Sequence, residues 1–173
     1  MITNNKKFAK KIELYRSHGV LNKRYFHLVH GHNFRLTNFQ AALGFAQLLK
    51  INYIIKIRKK IYKKYLSEIK KINKKIIIQK IGNNCNFVPW TFALVVDKKF
   101  KVNRDKLINK LILKKIETRN GFYSPNQLKI FKNSKDLISS DNLSKQVICL
   151  PIHLNMNNSD VIKIVSKLKI YLN

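Results

Sequence analysis

The chain has 173 residues, and its 36 lysines and arginines outnumber its 8 aspartates and glutamates, which gives a formal net charge of +28. This length accommodates one domain, or one domain and a fragment of another. No uncharged apolar run approaches the roughly 18 residues that span a bilayer, and the N-terminus lacks the apolar segment of a secretion signal. We therefore expect a cytoplasmic protein without a membrane segment.

The positive charge has two interpretations. Basic residues are spread from Lys6 to Lys169, and lysine, isoleucine and asparagine dominate the composition. This distribution favours solvated basic faces in a chain of biased composition, without specific nucleic-acid binding. The alternative is a basic module that binds nucleic acid or another polyanion, and such a module is expected to lose affinity steeply with added salt.

The first half of the chain is predicted to be mainly helical. Apolar spacing predicts a helix over residues 8–15 that ends at Ser17-His18-Gly19, followed by a loop or extended run over residues 20–34. Thr37 with Gln40 three residues later is a capping box, which predicts a helix from Asn38 to about Lys50. A second helix begins near Asn52, and its apolar face carries Ile54, Ile57, Ile61, Tyr65, Ile69 and Ile72. The two helices alternatively form one long bent unit.

The second half alternates between strand and helix patterns. Residues 76–78 and 87–96 are rich in strand-forming residues, and Gly82-Asn83-Asn84 provides a turn between them. Asn103 is a cap for the next helix, and residues 116–119 follow as a strand. The remaining predicted elements are a helix over residues 136–145, a buried strand over 147–150, and a last helix capped by Asn157 or Asn158. This order predicts an α/β (α+β) fold, in which a small antiparallel or mixed sheet packs with helices on one side.

Asn33 and Arg35 form a candidate anion site just before the predicted helix at Asn38. They occupy alternate positions of an extended segment, so both side chains can point the same way. The N-terminus of the helix adds a partial positive charge nearby. Alternatively, Arg35 pairs with a carboxylate on a neighbouring element, and Asn33 is a turn residue in the left-handed region.

Two other patterns favour structural interpretations. His27, His30 and His32 form an H-x-x-H-x-H cluster, but a further ligand with zinc-site spacing is missing, so no metal site is predicted. Trp90 and Phe92 lie in an apolar strand, and we expect both to be core residues instead of a stacking platform.

Residues 31–44, Gly-His-Asn-Phe-Arg-Leu-Thr-Asn-Phe-Gln-Ala-Ala-Leu-Gly, resemble a motif of the DegT-type sugar aminotransferases, which depend on pyridoxal 5′-phosphate (PLP). The family motif is Gly-x-Asn-Tyr-Arg-Met-Thr/Ser-x-x-Gln-Ala-Ala-x-Gly. Further similarities follow in the family's order: Ile116-Glu117-Thr118-Arg119 resembles its Gly-Ile-Glu-Thr-Arg strand, residues 122–128 its aromatic segment, and Leu150-Pro151 its Leu-Pro strand. Lys129 departs from the usual proline.

The resemblance implies a site and an architecture. Asn33 and Arg35 match residues that reach from one subunit into the neighbour's active site, beside the phosphate of its PLP. Arg119, Tyr123 and Asn126 match positions near the substrate entrance, although Arg119 alternatively makes only an ion pair. Residues 1–36 then represent a remnant of the large PLP-binding domain with its dimer-arm loop, and residues 37–173 the small C-terminal domain with the long connecting helices.

The resemblance also implies partners and a reaction. The expected partner is a second copy of the chain or a complementing N-terminal half, and the substrates of the complete enzyme are glutamate and a nucleotide-linked keto-sugar, in amino-sugar or cell-surface polysaccharide biosynthesis. The family's Schiff-base lysine lies in a Ser-Phe-x-x-x-Lys-x-x-x-x-Gly-Glu-Gly-Gly stretch, and this chain resembles the family only beyond it. We therefore expect the chain alone to be inactive.

Three explanations of the missing half are open. The chain is a truncated product, a portion of a longer protein, or one subunit of a split enzyme whose partner supplies the lysine. A split enzyme predicts a large exposed apolar face in the segment before Asn38.

Overall fold

The computed structural model describes residues 1–23, 25–72, 76–131 and 137–172, and the chain divides into two units, Met1–Lys50 and Ile51–Asn173. The division after Lys50 lies further along the chain than the domain boundary predicted after Leu36. The assignment of residues 1–36 to a large domain therefore stays a prediction.

The first unit contains helices α1 (Lys6–Arg16) and α2 (Asn38–Leu48). Asn5 caps α1, because its side-chain oxygen accepts hydrogen bonds from the N–H groups of Lys7 (2.9 Å) and Phe8 (3.2 Å). The predicted start of α2 at Asn38 is confirmed. Neither helix has a buried residue, so both present their apolar side chains at the surface of the chain.

The second unit contains helices α3 (Ile51–Lys70), α4 (Arg104–Ile112), α5 (Ile138–Gln146) and α6 (Asn158–Leu172). Leu49 and Lys50 form a turn, so α2 and α3 are separate helices and not one bent unit. The predicted caps at Asn103 and Asn157 are confirmed, since the side chain of each accepts from N–H groups of the following first turn. The predicted start of α5 at Asp136 lies outside the described residues.

Four short strands form an antiparallel sheet in the order β1-β2-β4-β3. They are β1 (Ile77–Ile78), β2 (Phe92–Val95), β3 (Arg119–Asn120) and β4 (Val147–Leu150). In the register of this sheet, Phe92 is opposite Leu150 and Arg119 is opposite Cys149. The antiparallel form of the predicted small sheet is therefore the one observed.

The predicted strand over residues 116–119 begins too early, because β3 starts only at Arg119. The N–H of Ile116 donates to the carbonyl of Leu111 (3.0 Å), which closes the C-terminal end of α4. The N–H of Ile116 is thus hydrogen-bonded to the last turn of a helix and not to a neighbouring strand.

The core of the second unit lies between the sheet and three helices. It contains Ile61, Tyr65 and Ile69 of α3, Leu107 and Leu111 of α4, Val161, Val165 and Leu168 of α6, and Phe92, Leu94, Ile148 and Leu150 of the sheet. The residues of α3 in this core confirm its predicted apolar face. The Tyr65 hydroxyl donates to the carbonyl of Pro151 (3.1 Å), and burial raises the pKa of this tyrosine.

The prediction that both Trp90 and Phe92 are core residues is wrong for Trp90. Phe92 is fully buried, but Trp90 is 62% exposed, and its ring stacks with Phe122 at a centroid distance of 6.4 Å. Trp90 lies between Pro89 and Thr91, before β2 begins at Phe92. The alternation of side chains along the strand therefore does not determine where the Trp90 side chain points.

Candidate functional site

Residues 32–36, here named the arm segment, run beside the C-terminal end of α1. The N–H of His32 donates to the carbonyl of Tyr15 (2.8 Å), and the N–H of Phe34 donates to that of Arg16 (3.1 Å). The carbonyl of His32 accepts from the N–H of His18 (3.1 Å), and Ser17 and Asn33 form an antiparallel bridge. The arm segment is therefore fixed by its backbone to the end of the helix, which leaves its side chains free for other contacts.

Two glycines allow this backbone contact. His18 and Gly19 have positive φ angles of 61° and 74°, which turn the chain away from the end of α1. A Cβ atom on Gly19 would lie 2.0 Å from the carbonyl oxygen of Val29, and one on Gly31 would lie 1.9 Å from the nitrogen of Gly19. Sequence reasoning did not find this contact. The only signal for it in the sequence is a glycine at each end of the segment over residues 19–31.

Asn33 and Arg35 are both exposed, as a ligand site requires. The rings of His32 and Phe34 stack at 4.9 Å with an interplanar angle of 17°, so alternate residues of the arm segment share a side. Alternation then directs Asn33 and Arg35 to the opposite side together. The two structural alternatives gain no support in the described part of the chain, because Asn33 has no positive φ and Arg35 forms no salt bridge there.

The arm segment leads directly into the N-terminus of α2. The predicted capping box is present: the N–H of Thr37 donates to the Gln40 side chain (3.0 Å), and the N–H of Gln40 donates to the Thr37 hydroxyl (3.2 Å). The first turn of α2 contains no acidic residue, so the positive end of the helix dipole is not neutralised there. An exposed amide and guanidinium just before this helix end form a donor set suited to a phosphate or carboxylate group.

The histidine cluster has a local structural role. The Nδ1 atom of His27 hydrogen-bonds to the carbonyl of His18 at 2.7 Å, which ties the loop to the turn after α1. Within the described ranges, the structure shows no group of three or more histidine, cysteine or acidic side chains able to hold a metal ion.

Arg119, Tyr123 and Asn126, the candidate substrate residues, are not brought into one cavity. Arg119 borders a cavity of about 490 Å³, and its guanidinium lies 3.5 Å from the carboxylate of Glu117, with both side chains mostly exposed. Tyr123 borders a second cavity of about 420 Å³. Asn126 instead donates to the carboxylate of Asp141 on α5 (3.1 Å).

The contacts of Asp141 explain the position of Asn126. The carboxylate also accepts a hydrogen bond from the buried hydroxyl of Ser124. The hydrogen bonds from Ser124 and Asn126 hold the pKa of Asp141 below its usual value, and the charge of Lys145 acts in the same direction. Asp141 thus attaches the segment after β3 to α5.

In the residues that the structure describes, no helix combines the length and apolar character needed to cross a membrane.

Comparison with known proteins places these features in a family. GDP-perosamine synthase from Vibrio cholerae is 29% identical to the chain over an alignment covering 100% of the chain and 48% of that protein. Helicobacter pylori PseC, an aminotransferase involved in the biosynthesis of pseudoaminic acid, superposes with a TM-score of 0.81 at 25% identity and covers 98% of the chain. A putative sugar aminotransferase from Streptococcus pneumoniae, solved in its PLP form, shares the fold with a TM-score of 0.81 at 18% identity.

These alignments cover nearly all of this chain but only about half of each known protein. The chain spans about half the length of the curated relatives it matches, for example 48% of the Vibrio synthase. Only 47% of the Helicobacter structure and 44% of the Streptococcus structure are covered. The sequence model of the DegT/DnrJ/EryC1/StrS aminotransferase family, in contrast, matches residues 1–169, nearly the whole chain. The chain therefore belongs to the DegT/DnrJ/EryC1/StrS aminotransferase family.

Proposed function

We propose that the chain forms the C-terminal part of a PLP-dependent aminotransferase that acts on a nucleotide-linked keto-sugar, in amino-sugar or cell-surface polysaccharide biosynthesis. Family membership over residues 1–169 supports the transferase class. Similarity to a GDP-perosamine synthase supports a nucleotide-sugar substrate. Glutamate is the proposed amino donor, by the resemblance of the motifs.

Asn33 and Arg35 are the proposed phosphate ligands for PLP held by a neighbouring subunit. The observation that carries this proposal is the exposure of both side chains at alternate positions of a backbone-anchored segment, immediately before the capped N-terminus of α2. A guanidinium binds a phosphate through two parallel N–H donors, and an amide adds a third donor. Bound PLP supplies the electron sink for amino-group transfer, while the protein binds and orients it.

A protein partner is supported by the apolar surface of the first unit. Exposed side chains before Asn38 include Phe8, Tyr25, Phe26, Leu28, Phe34 and Leu36, and α2 adds Phe39, Leu43, Phe45 and Leu48. Such an apolar surface is typical of a protein interaction face. The proposed occupant is a second copy of the chain or a complementing N-terminal half.

The chain alone is predicted to have no transaminase activity, because the resemblance assigns none of its lysines to the cofactor. The test is to add PLP to the purified chain and record the absorbance of a lysine-linked cofactor. An absorbance band that one lysine substitution in this chain removes would overturn this prediction.

The phosphate role of Arg35 is testable in a fusion in which this chain replaces the portion of the Vibrio GDP-perosamine synthase that it matches. In this fusion, Arg35→Ala is expected to weaken PLP binding about tenfold, because one charge-assisted bidentate contact is lost. Pyridoxal, which lacks the phosphate, is expected to bind the variant and the parent equally.

Arg16→Ala is the matched control, since Arg16 is also exposed and also lies in the first unit. Its PLP affinity is expected to stay at the parent value. Equal losses for PLP and pyridoxal in Arg35→Ala would argue against a phosphate contact.

A further inference from the structure

The cavity of about 490 Å³ lies entirely within the second unit. Its wall includes residues 115–119, the end of β4 with Pro151–His153, and side chains from the first turns of α6. Trp90 and Thr91 also border it. The volume falls within the range of about 300–1,000 Å³ that is typical of small-molecule sites.

Three residues that border this cavity each have a buried side-chain polar atom without a hydrogen-bond partner. These atoms are Nε of Arg58 and the hydroxyl oxygens of Thr91 and Thr118. Thr118 is only 8% exposed, and in the described part of the chain no other buried side-chain nitrogen or oxygen is left without a partner. Because an unpaired buried polar atom costs free energy, the grouping of three such residues around one cavity favours a polar ligand.

The cavity wall is positively charged. Its cations are Arg58, Lys115, Arg119 and Lys163, and its carboxylates are Glu117 and Asp160. Both carboxylates already have contacts, since Glu117 pairs with Arg119 and Asp160 accepts the N–H of Asn157 (2.8 Å). Arg58, Lys115 and Lys163 form no salt bridge with any residue that the structure describes. Nη1 of Arg58 donates to the carbonyl of Pro89 (3.4 Å), but none of the three positive charges is paired with a carboxylate in the described residues.

Lys115 has an unfavourable backbone conformation at this wall. Its φ is +59°, and the hydrogen bond from Ile116 N–H to Leu111 O closes α4 around it. Glycine is the preferred residue at such a helix end, and a side chain in the left-handed region is strained. A lysine at this position adds a cation to the cavity wall but keeps the backbone strained. Strained backbone conformations of this kind cluster at ligand-binding sites.

We propose that this cavity binds a small molecule that carries a phosphate or carboxylate group. Arg58, Lys115 and Lys163 contact the anion, and the hydroxyls of Thr91 and Thr118 hydrogen-bond to its polar atoms. The proposal does not rest on the transferase function, because it concerns a cavity contained in this chain and is tested on the chain by itself.

Trp90 provides the readout, since it borders the cavity and is the single tryptophan of the chain. Its fluorescence is recorded while inorganic phosphate or succinate is added to the full chain at constant ionic strength. At least one anion is expected to give a saturable change, and comparing the two anions identifies which group the cavity prefers.

Two variants separate binding from folding. Lys115→Gly relieves the backbone strain and Thr118→Val removes an unpaired hydroxyl, so both proteins are expected to melt at or above the parent temperature. Each is nevertheless expected to weaken anion binding about fivefold, because a cation or a hydroxyl contact is lost. Lys114→Ala is the matched control, since Lys114 is exposed and does not border the cavity.

Saturable binding that both variants weaken and Lys114→Ala retains would support the site. The absence of a saturable response to either anion would overturn it, and so would a response that Lys115→Gly and Thr118→Val leave unchanged.

Discussion

At the scale of single residues, the motif over residues 31–44 contains residues suited to ligand binding and a residue needed for backbone packing. Asn33 and Arg35 are exposed and free for ligand contact, whereas Gly31 is needed for the close approach of two backbone segments. The sequence identified Thr37 and Gln40 as a capping box because that pattern depends only on residues three apart. It did not reveal the partner of Gly31, because Gly19 lies in a different turn.

Gly31→Ala is expected to lower the free energy of unfolding by roughly 2 kcal/mol or more, because its Cβ would meet the backbone of Gly19. Gly44→Ala is the matched control: nothing lies within 4 Å of the added Cβ, and alanine in a helix is more stable than glycine. That control should gain about 0.5–1 kcal/mol. Urea unfolding, with hydrogen exchange at the amides of His32 and Phe34, measures both effects. Equal effects of the two substitutions would refute the contact.

Asp141 gives a pH-dependent prediction. Its pKa is lowered in the folded chain by Ser124 and Asn126, so its contribution to stability is present above its unfolded pKa and is lost as pH falls through the folded value. We expect Ser124→Ala to be less stable than the parent at neutral pH and to lose less stability on acidification below about pH 4. Melting temperatures across this pH range provide the measurement. Parallel profiles for parent and variant would contradict it.

At the scale of secondary-structure elements, most helix starts were predictable and most long-range contacts were not. Asn103, Asn157 and Thr37 act through bonds to the next turn, and local sequence contains that information. The apolar pattern over residues 87–96 predicts Trp90 as a core residue of a strand, although β2 begins only at Phe92. The cavity at Thr118 joins side chains from separate segments of the chain, and no local pattern indicates that they meet.

Arg104 makes contacts between secondary-structure elements that are not expected from its residue type. It is 8% exposed, and its guanidinium donates to the carbonyls of Ser144 (3.0 Å) and Val147 (3.2 Å) and to the carboxylate of Asp105 (2.5 Å). These bonds attach the start of α4 to the junction of α5 and β4. A sequence reading treats such an arginine as a solvated residue of the first turn.

Arg104→Met is expected to destabilise the second unit by roughly 1–3 kcal/mol, because the buried carbonyl of Ser144 loses a charged donor, whereas the carbonyl of Val147 keeps the N–H of Gly121 (3.0 Å). Lys106→Met on the same helix is the control, since Lys106 is exposed and its change should stay within about 0.5 kcal/mol. Chemical denaturation measures the difference between the two. A loss in Arg104→Met no larger than in the control would show that these bonds add nothing to stability.

At the scale of the whole molecule, the two units differ in how much apolar surface they bury. The second unit has a core of helices on a sheet, whereas α1 and α2 have no buried residue. The small antiparallel sheet with helices was predictable from the order of patterns along the chain. The proposed partner was predictable only through family resemblance, because apolar spacing does not distinguish a core face from an interface.

Self-association is the expected behaviour of the chain in solution. Leu43→Glu, which places a charge on the exposed apolar face of α2, is expected to reduce the mass measured by light scattering toward that of a monomer. Leu113→Glu is the control, because Leu113 is 81% exposed but lies in the second unit. A monomeric parent chain, or equal masses for the two variants, would argue against association through α2.

The central claim is that Asn33 and Arg35 serve the cofactor of a neighbouring subunit, and complementation tests it most directly. One fusion with the Vibrio synthase carries Asn33→Ala and Arg35→Ala and is assayed at a PLP concentration too low to fill its weakened sites, which makes it inactive. In a second, inactive fusion, the lysine that the family motif assigns to the cofactor is replaced in the synthase portion. After mixing and subunit exchange, each hybrid dimer has one site with both the lysine and the two arm residues. Aminotransferase activity should then return to about a quarter of the parent fusion. A mixture as inactive as its separate components, despite proven subunit exchange, would contradict the account.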